Sequence, residues 1–226
     1  LDVGACVGDY TSNLLALCPE SNMSYLLFEP NPANLPKLET IVQRMPSTKL
    51  YKCCIADKEG KASFYNWKAK PSSAASDVYK RQQSGGEKIC DVDVKRLDTI
   101  LDSETNNRNC ILKFIKIDTE GTDTRVIKSL GRYIRDTRYI VFECSDCLDD
   151  MRGPGIPNPM KDIVDYLSYN GFDTYRIGTK KLLKVNDEFW DNTYETKKFW
   201  SNCFALKKED PLIRDLIDNR FSYKAI

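Results

Sequence analysis

The sequence of 226 residues contains no histidine. This absence excludes Ser-His-Asp and Cys-His catalysis, and it removes both the usual general base and the commonest metal ligand. Neither sign of charge dominates, and the formal net charge of +1 predicts no bulk attraction to nucleic acid or to anionic membranes. The chain also lacks a run of about eighteen apolar residues, which a membrane-spanning helix would require.

The cysteines do not form the pattern of a secreted protein. There are nine of them, an odd number, and only Cys53-Cys54 and Cys144-x-x-Cys147 lie close together in the sequence. A disulfide framework would be denser and more evenly paired, so the composition favours a reducing compartment and predicts a cytoplasmic location. Cys144 and Cys147 lack the second pair that a structural zinc site needs, and we therefore predict small buried residues there and no metal site.

The order of apolar runs indicates one α/β domain over residues 1–226, built around a parallel sheet. We predict strands at 24–29, 49–55, 61–67, 88–94, 111–117, 138–143, 172–177 and 202–206, and helices at 10–17, 32–45, 122–133, 160–169 and 210–219, with a short one from 97. Residues 68–88 are predicted to be a mobile loop, either a lid over a substrate or an insertion, and residues 73–82 resemble translated cloning adapter. The chain starts inside its first strand without Met, so we expect residues upstream to be missing.

Two glycines near the start of the chain are the first candidate for a binding site. Gly4 and Gly8 follow an apolar segment and precede a helix predicted to begin at Tyr10. Glycine lets the backbone pass close to a ligand, and the free N–H groups of the helix start favour polar or negative groups. The pattern is typical of the nucleotide-binding turn of open α/β sheets, although a plain tight turn has it too.

Glu29 closes the second predicted strand, 21 residues after Gly8. At this spacing an acid reaches the ribose of a bound nucleotide, and its two oxygens can accept hydrogen bonds from both hydroxyls. The alternative is an ordinary acid at a strand end. Asp57 follows the strand predicted at 49–55, where it would lie at the ligand-binding edge of the sheet, but an aspartate that only forms the turn explains the position equally well.

A third group of candidate residues lies in the segment Ile111–Gly121. Alternation along the predicted strand places Lys116 and Asp118 on one side, with Glu120 just beyond in the turn. Charged side chains there are costly to bury unless they are paired or used, so these three residues are the predicted catalytic group. A purely structural pair of the lysine with one acid is the alternative.

Five segments of the chain together resemble the FkbM family of S-adenosylmethionine-dependent methyltransferases. They are Leu-Asp-Val-Gly-Ala-x-x-Gly, Phe-Glu-Pro-Asn-Pro, Ala-Asp-Lys-Glu-Gly, Leu-Asp-Thr-Ile-Leu and Ile-Lys-Ile-Asp-Thr-Glu-Gly, and they lie in this order within residues 1–143. The resemblance implies a class I methyltransferase fold, a Rossmann-like doubly wound sheet with strand order 3-2-1-4-5-7-6 and one antiparallel strand. It also implies S-adenosylmethionine as the cofactor.

The same resemblance assigns roles to individual residues. The pocket for the methionine part of the cofactor is formed by Asp2, Gly4, Ala5 and Gly8. Glu29 holds the ribose with Asn31 beside it, and Asp57 approaches the adenine. Asp118 and Glu120 lie nearest the methyl group and the acceptor, and Asp123 stands close to where many family members have an acid or a histidine.

The expected reaction is therefore transfer of a methyl group, most simply to a hydroxyl of a small molecule or glycan. Without histidine, Asp118 and Glu120 are the candidate bases, and Lys116 is expected to pair with one of them. Two other classes of function remain open. An NAD-dependent oxidoreductase is disfavoured because the turn reads Gly-Ala-Cys-Val-Gly instead of Gly-x-Gly-x-x-Gly, and a non-catalytic nucleotide-binding module would share the fold without turnover.

Overall fold

The computed structural model describes residues 1–17, 23–66, 87–106, 111–119, 122–144, 160–179, 181–196 and 201–217. The strands in these ranges are β1 (Asp2–Val3), β2 (Tyr25–Phe28), β3 (Thr48–Tyr51), β4 (Cys54–Ile55), β5 (Gly60–Asn66), β6 (Glu87–Lys95), β7 (Leu112–Ile117), β8 (Thr137–Cys144), β9 (Phe172–Ile177), β10 (Leu182–Lys184) and β11 (Ser201–Lys207). The helices are α1 (Asp9–Leu17), α2 (Leu35–Arg44), α3 (Leu97–Thr105), α4 (Asp123–Lys128), α5 (Met160–Tyr169), α6 (Thr193–Thr196) and α7 (Leu212–Ile217). Residues 67–86, which include most of the predicted loop, lie outside the described ranges.

One large sheet organises the domain. Its eight strands lie in the order β3-β2-β1-β7-β8-β11-β9-β10. The five strands from β3 to β8 pair in parallel, whereas β11 is antiparallel to both of its neighbours and β10 is antiparallel to β9. Without β10, the order is the one that the FkbM resemblance implies. The sheet has two reversed strands, β10 and β11, where one was expected, because the three-residue β10 is too short to be recognised by its periodicity.

Both faces of this sheet are covered, as the apolar runs predicted. Strand β2 shows this directly, because Leu26 and Phe28 belong to one buried cluster while Tyr25 and Leu27 belong to another. The first cluster includes residues of α3, α4 and α5, and the second includes Leu38 of α2. Alternate residues of a strand point to opposite faces, so the α/β class is confirmed by the packing itself.

The strand predicted at 49–55 is wrong as a single element. The chain leaves the large sheet after Tyr51, and β4 resumes at Cys54 in a second, three-stranded sheet of order β4-β6-β5. The buried side chain of Cys53 lies at the crossing point. Because β4 pairs with the distant strand β6, the break depends on a partner about forty residues away, which no local pattern contains.

The helix predicted at 122–133 is also shorter than expected. It ends at Lys128 and is followed by a 3₁₀ turn, Gly131–Ile134. Gly131 has a φ of +51°, and a Cβ at this position would overlap the carboxylate of Asp98. The left-handed backbone conformation therefore favours glycine at this position. No helix in the described part of the chain is long and apolar enough to cross a bilayer.

Candidate active site

Three predicted site residues follow directly after three neighbouring strands. Val3 of β1 is in register with Phe28 of β2 on one side and with Ile117 of β7 on the other. The next residues along the chain, Gly4, Glu29 and Asp118, are therefore adjacent at the carboxyl edge of the sheet. In open α/β sheets this edge, at the strands where the chain reverses its winding, is where ligands bind.

Gly4 adopts a conformation that favours glycine, with a φ of +76°. A Cβ at this position would overlap the carbonyl oxygen of Asp118. From the sequence, glycine at this position is expected to allow a close approach to a ligand. In the structure the close approach is to the end of β7, so Gly4 sets how tightly the turn packs against the strand that carries Asp118.

Gly8 has a similar role on the opposite side of the turn. Its φ is +83°, and a Cβ would overlap the side chains of Ile41 and Leu38 of α2. The turn between the two glycines therefore lies closely against both β7 and α2. Ala5, between them, is buried in the same cluster as Leu38.

Glu29 fixes the turn by its side chain. Oε2 accepts a hydrogen bond from the backbone N–H of Cys6 at 2.7 Å, and Oε1 accepts one from the backbone N–H of Asn31 at 2.8 Å. Cys6 is a non-glycine residue with a φ of +53°, an unfavourable conformation that this hydrogen bond helps to hold. Burial raises the pKa of Glu29, and the two backbone hydrogen bonds oppose that rise.

The predicted ribose contact is thus a residue that also ties two loops together. The side chain of Glu29 is almost completely buried, with 1% of the residue exposed. A carboxylate has about four lone-pair sites, and the backbone N–H groups of Cys6 and Asn31 use two of them. Asn31 lies next to it, and its own side-chain oxygen accepts a hydrogen bond from the N–H of Ala33.

Lys116 lies below the glycine turn and contacts several of its polar groups. Its Nζ donates to the carbonyl oxygen of Gly4 at 2.9 Å, and it lies 3.4 Å from Asp2 Oδ1 and 3.5 Å from Asp118 Oδ2. Asp2 is buried, and its other oxygen accepts a hydrogen bond from Thr11 Oγ1 at 2.6 Å. The lysine therefore neutralises a buried acid and lies within ion-pair distance of an exposed one, and its catalytic role stays a prediction.

Asp118 is the most accessible acid of this group. Its side chain is 51% exposed, compared with 12% for Lys116. Its backbone N–H donates a hydrogen bond to the carbonyl oxygen of Val3 at 3.0 Å. This bond holds Asp118 at the end of the ladder between β1 and β7. An exposed carboxylate at a fixed backbone position can approach a substrate hydroxyl. Glu120 lies outside the described residues.

Asp123 is placed differently from the other acids. It is buried, with Oδ1 accepting a hydrogen bond from the backbone N–H of Thr119 at 2.9 Å and another from the hydroxyl of Thr119. Oδ2 accepts from the backbone N–H of Glu143, at the end of β8, at 2.8 Å. Burial raises its pKa. The structure assigns Asp123 to holding the segment after β7 against β8, a role that the sequence could not indicate because Glu143 is twenty residues away.

Asp57 lies beside the start of the second sheet and is held from two directions. Its Oδ1 accepts a hydrogen bond from Nε of Arg125 at 2.8 Å, and its carbonyl oxygen accepts one from the guanidinium of Arg96. The residue is therefore more than a turn former, since it joins the loop after β4 to helix α4. Among the described residues, no group of three or more Cys, Asp or Glu side chains is arranged to hold a metal ion.

A cavity of about 560 Å³ lies at the opposite, amino edge of the sheet. The cavity lies beside the first part of β7, between α1 and α3. Leu1, Tyr25 and Phe114 are among the residues that line it. Glu29 and Asp118 do not line it, whereas Asp2 does.

The methyltransferase FkbM domain family has a sequence model that matches residues 2–174 of this chain, well over half of its length. The chain belongs to the FkbM methyltransferase family. No curated protein is a significant match. The match includes every residue assigned a role by the FkbM resemblance, from Asp2 to Asp123.

Two solved structures are similar to this chain. The chain is similar to the methyltransferase FkbM from Methylobacillus flagellatus KT, with a TM-score of 0.51 and 15% sequence identity over 91% of this chain and 42% of that one. A precorrin-6y C5,15-methyltransferase from Geobacter metallireducens GS-15 gives a TM-score of 0.42 and 12% identity, covering 92% of this chain and 78% of that one. The chain thus spans about two fifths of the length of the FkbM structure, and the likeness shows the shared fold.

Proposed function

We propose that this FkbM domain is an S-adenosylmethionine-dependent O-methyltransferase that acts on a hydroxyl of a small molecule or glycan. The observation that carries the proposal is the alignment of Gly4, Glu29 and Asp118 at the ends of three adjacent strands. In this proposal the tight turn at Gly4, the ribose acceptor Glu29 and the candidate base Asp118 lie side by side. A nucleoside with a reactive group at its 5′ end matches that order, because its ribose would lie at Glu29 and its reactive group toward Asp118.

The polar groups around the crevice fit S-adenosylmethionine. Glu29 retains lone pairs for the two ribose hydroxyls, and the start of α1 directs backbone N–H groups toward the same crevice. Gly4, Ala5 and Gly8 would shape the methionine end, Asn31 would flank the ribose, and Asp57 would face the adenine. S-adenosylmethionine, when bound, supplies a methyl group on a sulfonium whose sulfur keeps the electron pair of the broken carbon–sulfur bond and leaves as S-adenosylhomocysteine.

The protein's own contribution is to orient the acceptor and to receive its proton. As the acceptor oxygen forms its new bond to the methyl carbon, the hydroxyl proton passes to a carboxylate, for which Asp118 and Glu120 are the candidates. Lys116 holds Asp118 in place through the 3.5 Å contact. Alignment of two reactants in this way can lower a barrier by about 7–11 kcal/mol, so positioning carries most of the catalysis.

Cofactor binding is tested by calorimetric titration of the chain with S-adenosylhomocysteine, with NAD as the comparison ligand. We expect binding of the former and none of the latter. Glu29→Gln should weaken binding, while Glu39→Gln, the same chemical change at an exposed residue of α2 paired with Lys52, should not. A folded chain that does not bind S-adenosylhomocysteine would contradict the proposal, and binding of NAD would favour an oxidoreductase.

Catalysis is tested by Asp118→Asn in a screen of hydroxyl acceptors, with release of S-adenosylhomocysteine as the readout. The variant should lose turnover and retain cofactor binding, because the carboxylate is exposed and its backbone contacts remain. Asp165→Asn, at an exposed acid on α5, is the matched control. Full activity of Asp118→Asn would show that this residue is not the base.

A further inference from the structure

The ladder between β7 and β8 stops before the end of β8. Its last paired residues are Lys116 and Val141. In the same register Asp118 would lie opposite Glu143, but the backbone N–H of Glu143 donates to a side chain, Oδ2 of Asp123, at 2.8 Å. Strand β8 continues past this point because β11 pairs with it on its other side. A carboxylate therefore replaces a backbone acceptor where the ladder ends.

The other oxygen of Asp123 holds Thr119, the second residue after β7. Oδ1 accepts hydrogen bonds from the backbone N–H of Thr119 at 2.9 Å and from its hydroxyl. The hydroxyl of Thr122 donates to the hydroxyl of Thr119 at 2.9 Å. In addition, Thr119 Cγ2 lies 3.6 Å from the position that a Cβ on Gly4 would occupy. Thr119 is thus held between the glycine turn and the carboxylate of Asp123.

The three hydrogen bonds to Asp123 need a carboxylate at this position. An ionised carboxylate accepts with both oxygens, whereas an amide has one acceptor oxygen and one group that only donates. Burial raises the pKa of Asp123, and the hydrogen bonds from Thr119 and Glu143 oppose that rise. Buried polar networks in which every member has its partners are rigid. The network therefore fixes the position of Thr119 relative to the end of β8.

Thr119 lies between the two candidate bases, Asp118 and Glu120, in the sequence. A displacement of its backbone therefore moves the residues on both sides. The hydrogen bonds of Glu29 involve other segments, the glycine turn and the loop after β2. Asp123 and Glu29 thus hold different parts of the site, and in the proposed function these are the side of the candidate bases and the side of the ribose.

We infer that Asp123 is a positioning residue for methyl transfer, which holds Thr119 against the end of β8 and so fixes the backbone that carries the candidate bases. This inference rests on the proposed function, since it requires that a carboxylate after β7 receive the acceptor's proton. Asp123 itself is buried, with 1% of the residue exposed, and acts through Thr119. Displacement of a catalytic group by about 1 Å can slow a reaction about a hundredfold, so loss of the Asp123 hydrogen bonds should lower kcat.

The test is Asp123→Asn, which keeps the shape of the side chain and one acceptor oxygen for Thr119 but places an amide group opposite the N–H of Glu143. With a hydroxyl compound that the unmodified chain methylates, kcat should fall at least about tenfold. The KM for S-adenosylmethionine and the affinity for S-adenosylhomocysteine, measured by calorimetry, should stay within about twofold, because the hydrogen bonds of Glu29 remain. Thr119→Val is a milder second variant that removes only the hydroxyl donor, and it should lower kcat with the same unchanged affinity.

Asp173→Asn is the matched control, because Asp173 is a buried acid at the amino end of β9 that pairs with Lys184 at 2.9 Å. It should keep the kcat of the unmodified chain even if the domain becomes less stable. An unchanged kcat in Asp123→Asn and Thr119→Val would overturn the inference. Loss of S-adenosylhomocysteine affinity by the same factor as kcat, or an equal loss of kcat in Asp173→Asn, would also overturn it, because the role of Asp123 would then be general stability.

Failure of the proposed function would be seen in the unmodified chain, before any variant is compared. A folded chain that binds S-adenosylhomocysteine but methylates no hydroxyl acceptor would count against the proposed O-methylation, and the inference would fall with it. Methylation by the unmodified chain together with full activity of the Asp123 and Thr119 variants would leave the proposed function intact and overturn the inference alone.

Discussion

The ammonium group of Lys116 donates a hydrogen bond to the carbonyl oxygen of Gly4 at 2.9 Å. This contact joins the carboxyl end of β7 to the glycine turn after β1, two segments that are 112 residues apart in the sequence. The same ammonium group lies 3.4 Å from the buried carboxylate of Asp2. A single side chain therefore sets the turn, neutralises a buried acid and lies next to the exposed Asp118.

Replacement of Lys116 by Met should lower the free energy of unfolding by about 2–4 kcal/mol, because the carboxylate of Asp2 would remain buried without its cation. Lys113→Met, at an exposed position of the same strand, is the control and should change stability by less than about 0.5 kcal/mol. Urea unfolding followed by circular dichroism measures both. Equal stability of the two variants would show that Asp2 does not depend on Lys116.

Gly4→Ala should destabilise the domain by at least about 2 kcal/mol, since the new side chain would adopt a left-handed conformation and overlap the carbonyl oxygen of Asp118. Gly60→Ala provides the comparison, because Gly60 begins β5 with no atom near its Cβ position. Urea unfolding followed by circular dichroism measures the stability of both variants. A tolerated alanine at residue 4 would mean that the turn does not pack against β7 as described.

The affinity for S-adenosylhomocysteine should depend on pH through Glu29. Burial raises the pKa of this carboxyl group, so it gains a proton at a higher pH than an ordinary glutamate and then loses its capacity to accept from the ribose. As the pH is lowered, the affinity for S-adenosylhomocysteine should therefore begin to fall at a higher pH than it would with an ordinary glutamate. Calorimetric titrations across the acidic range measure this, and the Glu29→Gln variant should show no such decline.

The same raised pKa has the opposite effect on stability. Because folding disfavours the ionised form of Glu29, its contribution to stability is greatest below the pKa of the unfolded chain and decreases as the pH rises through the folded value. Stability attributable to Glu29 and affinity for the ligand should thus change in opposite directions with pH. A parallel change of both, absent in Glu29→Gln, would contradict the assignment of the titration to this residue.

Cys203, fully buried on β11, is disulfide-bonded. Disulfides are rare in reducing compartments, so this bond does not fit the expectation drawn from the cysteine count. Cys203→Ser should increase the number of free thiols by one, measured with a thiol reagent in denaturant without reductant, because its partner is released. A decrease by one would show that Cys203 is a free thiol and would support the reducing compartment.

Cys53 and Cys54 are expected to be unreactive for a different reason. Burial raises the pKa of Cys53 to about 12 and also raises that of Cys54, so little thiolate is present near neutral pH. Both are free thiols in the structure.

The sequence by itself determined the parts of this protein that depend on local pattern. Two glycines before a helix, an acid at the end of a four-residue apolar strand, and a lysine alternating with an aspartate were sufficient to place Gly4, Glu29 and Asp118 at strand ends. The helix Met160–Tyr169 and the strand Phe172–Ile177 were also predicted with their observed bounds. Hydrophobic periodicity and turn residues determine structure over about ten neighbouring residues, so features of this kind can be predicted from the local sequence.

Only the tertiary structure decided which partners these residues have. The register of Val3 with Phe28 and Ile117 brings the three strand ends together, and the pairing of Asp57 with Arg125 joins residues that are 68 positions apart. The split of the strand predicted at 49–55 and the reversed edge strand β10 likewise depend on distant strands. Strand order sets these long-range contacts, because a side chain's hydrogen-bond partner is whatever the neighbouring strand or helix presents to it.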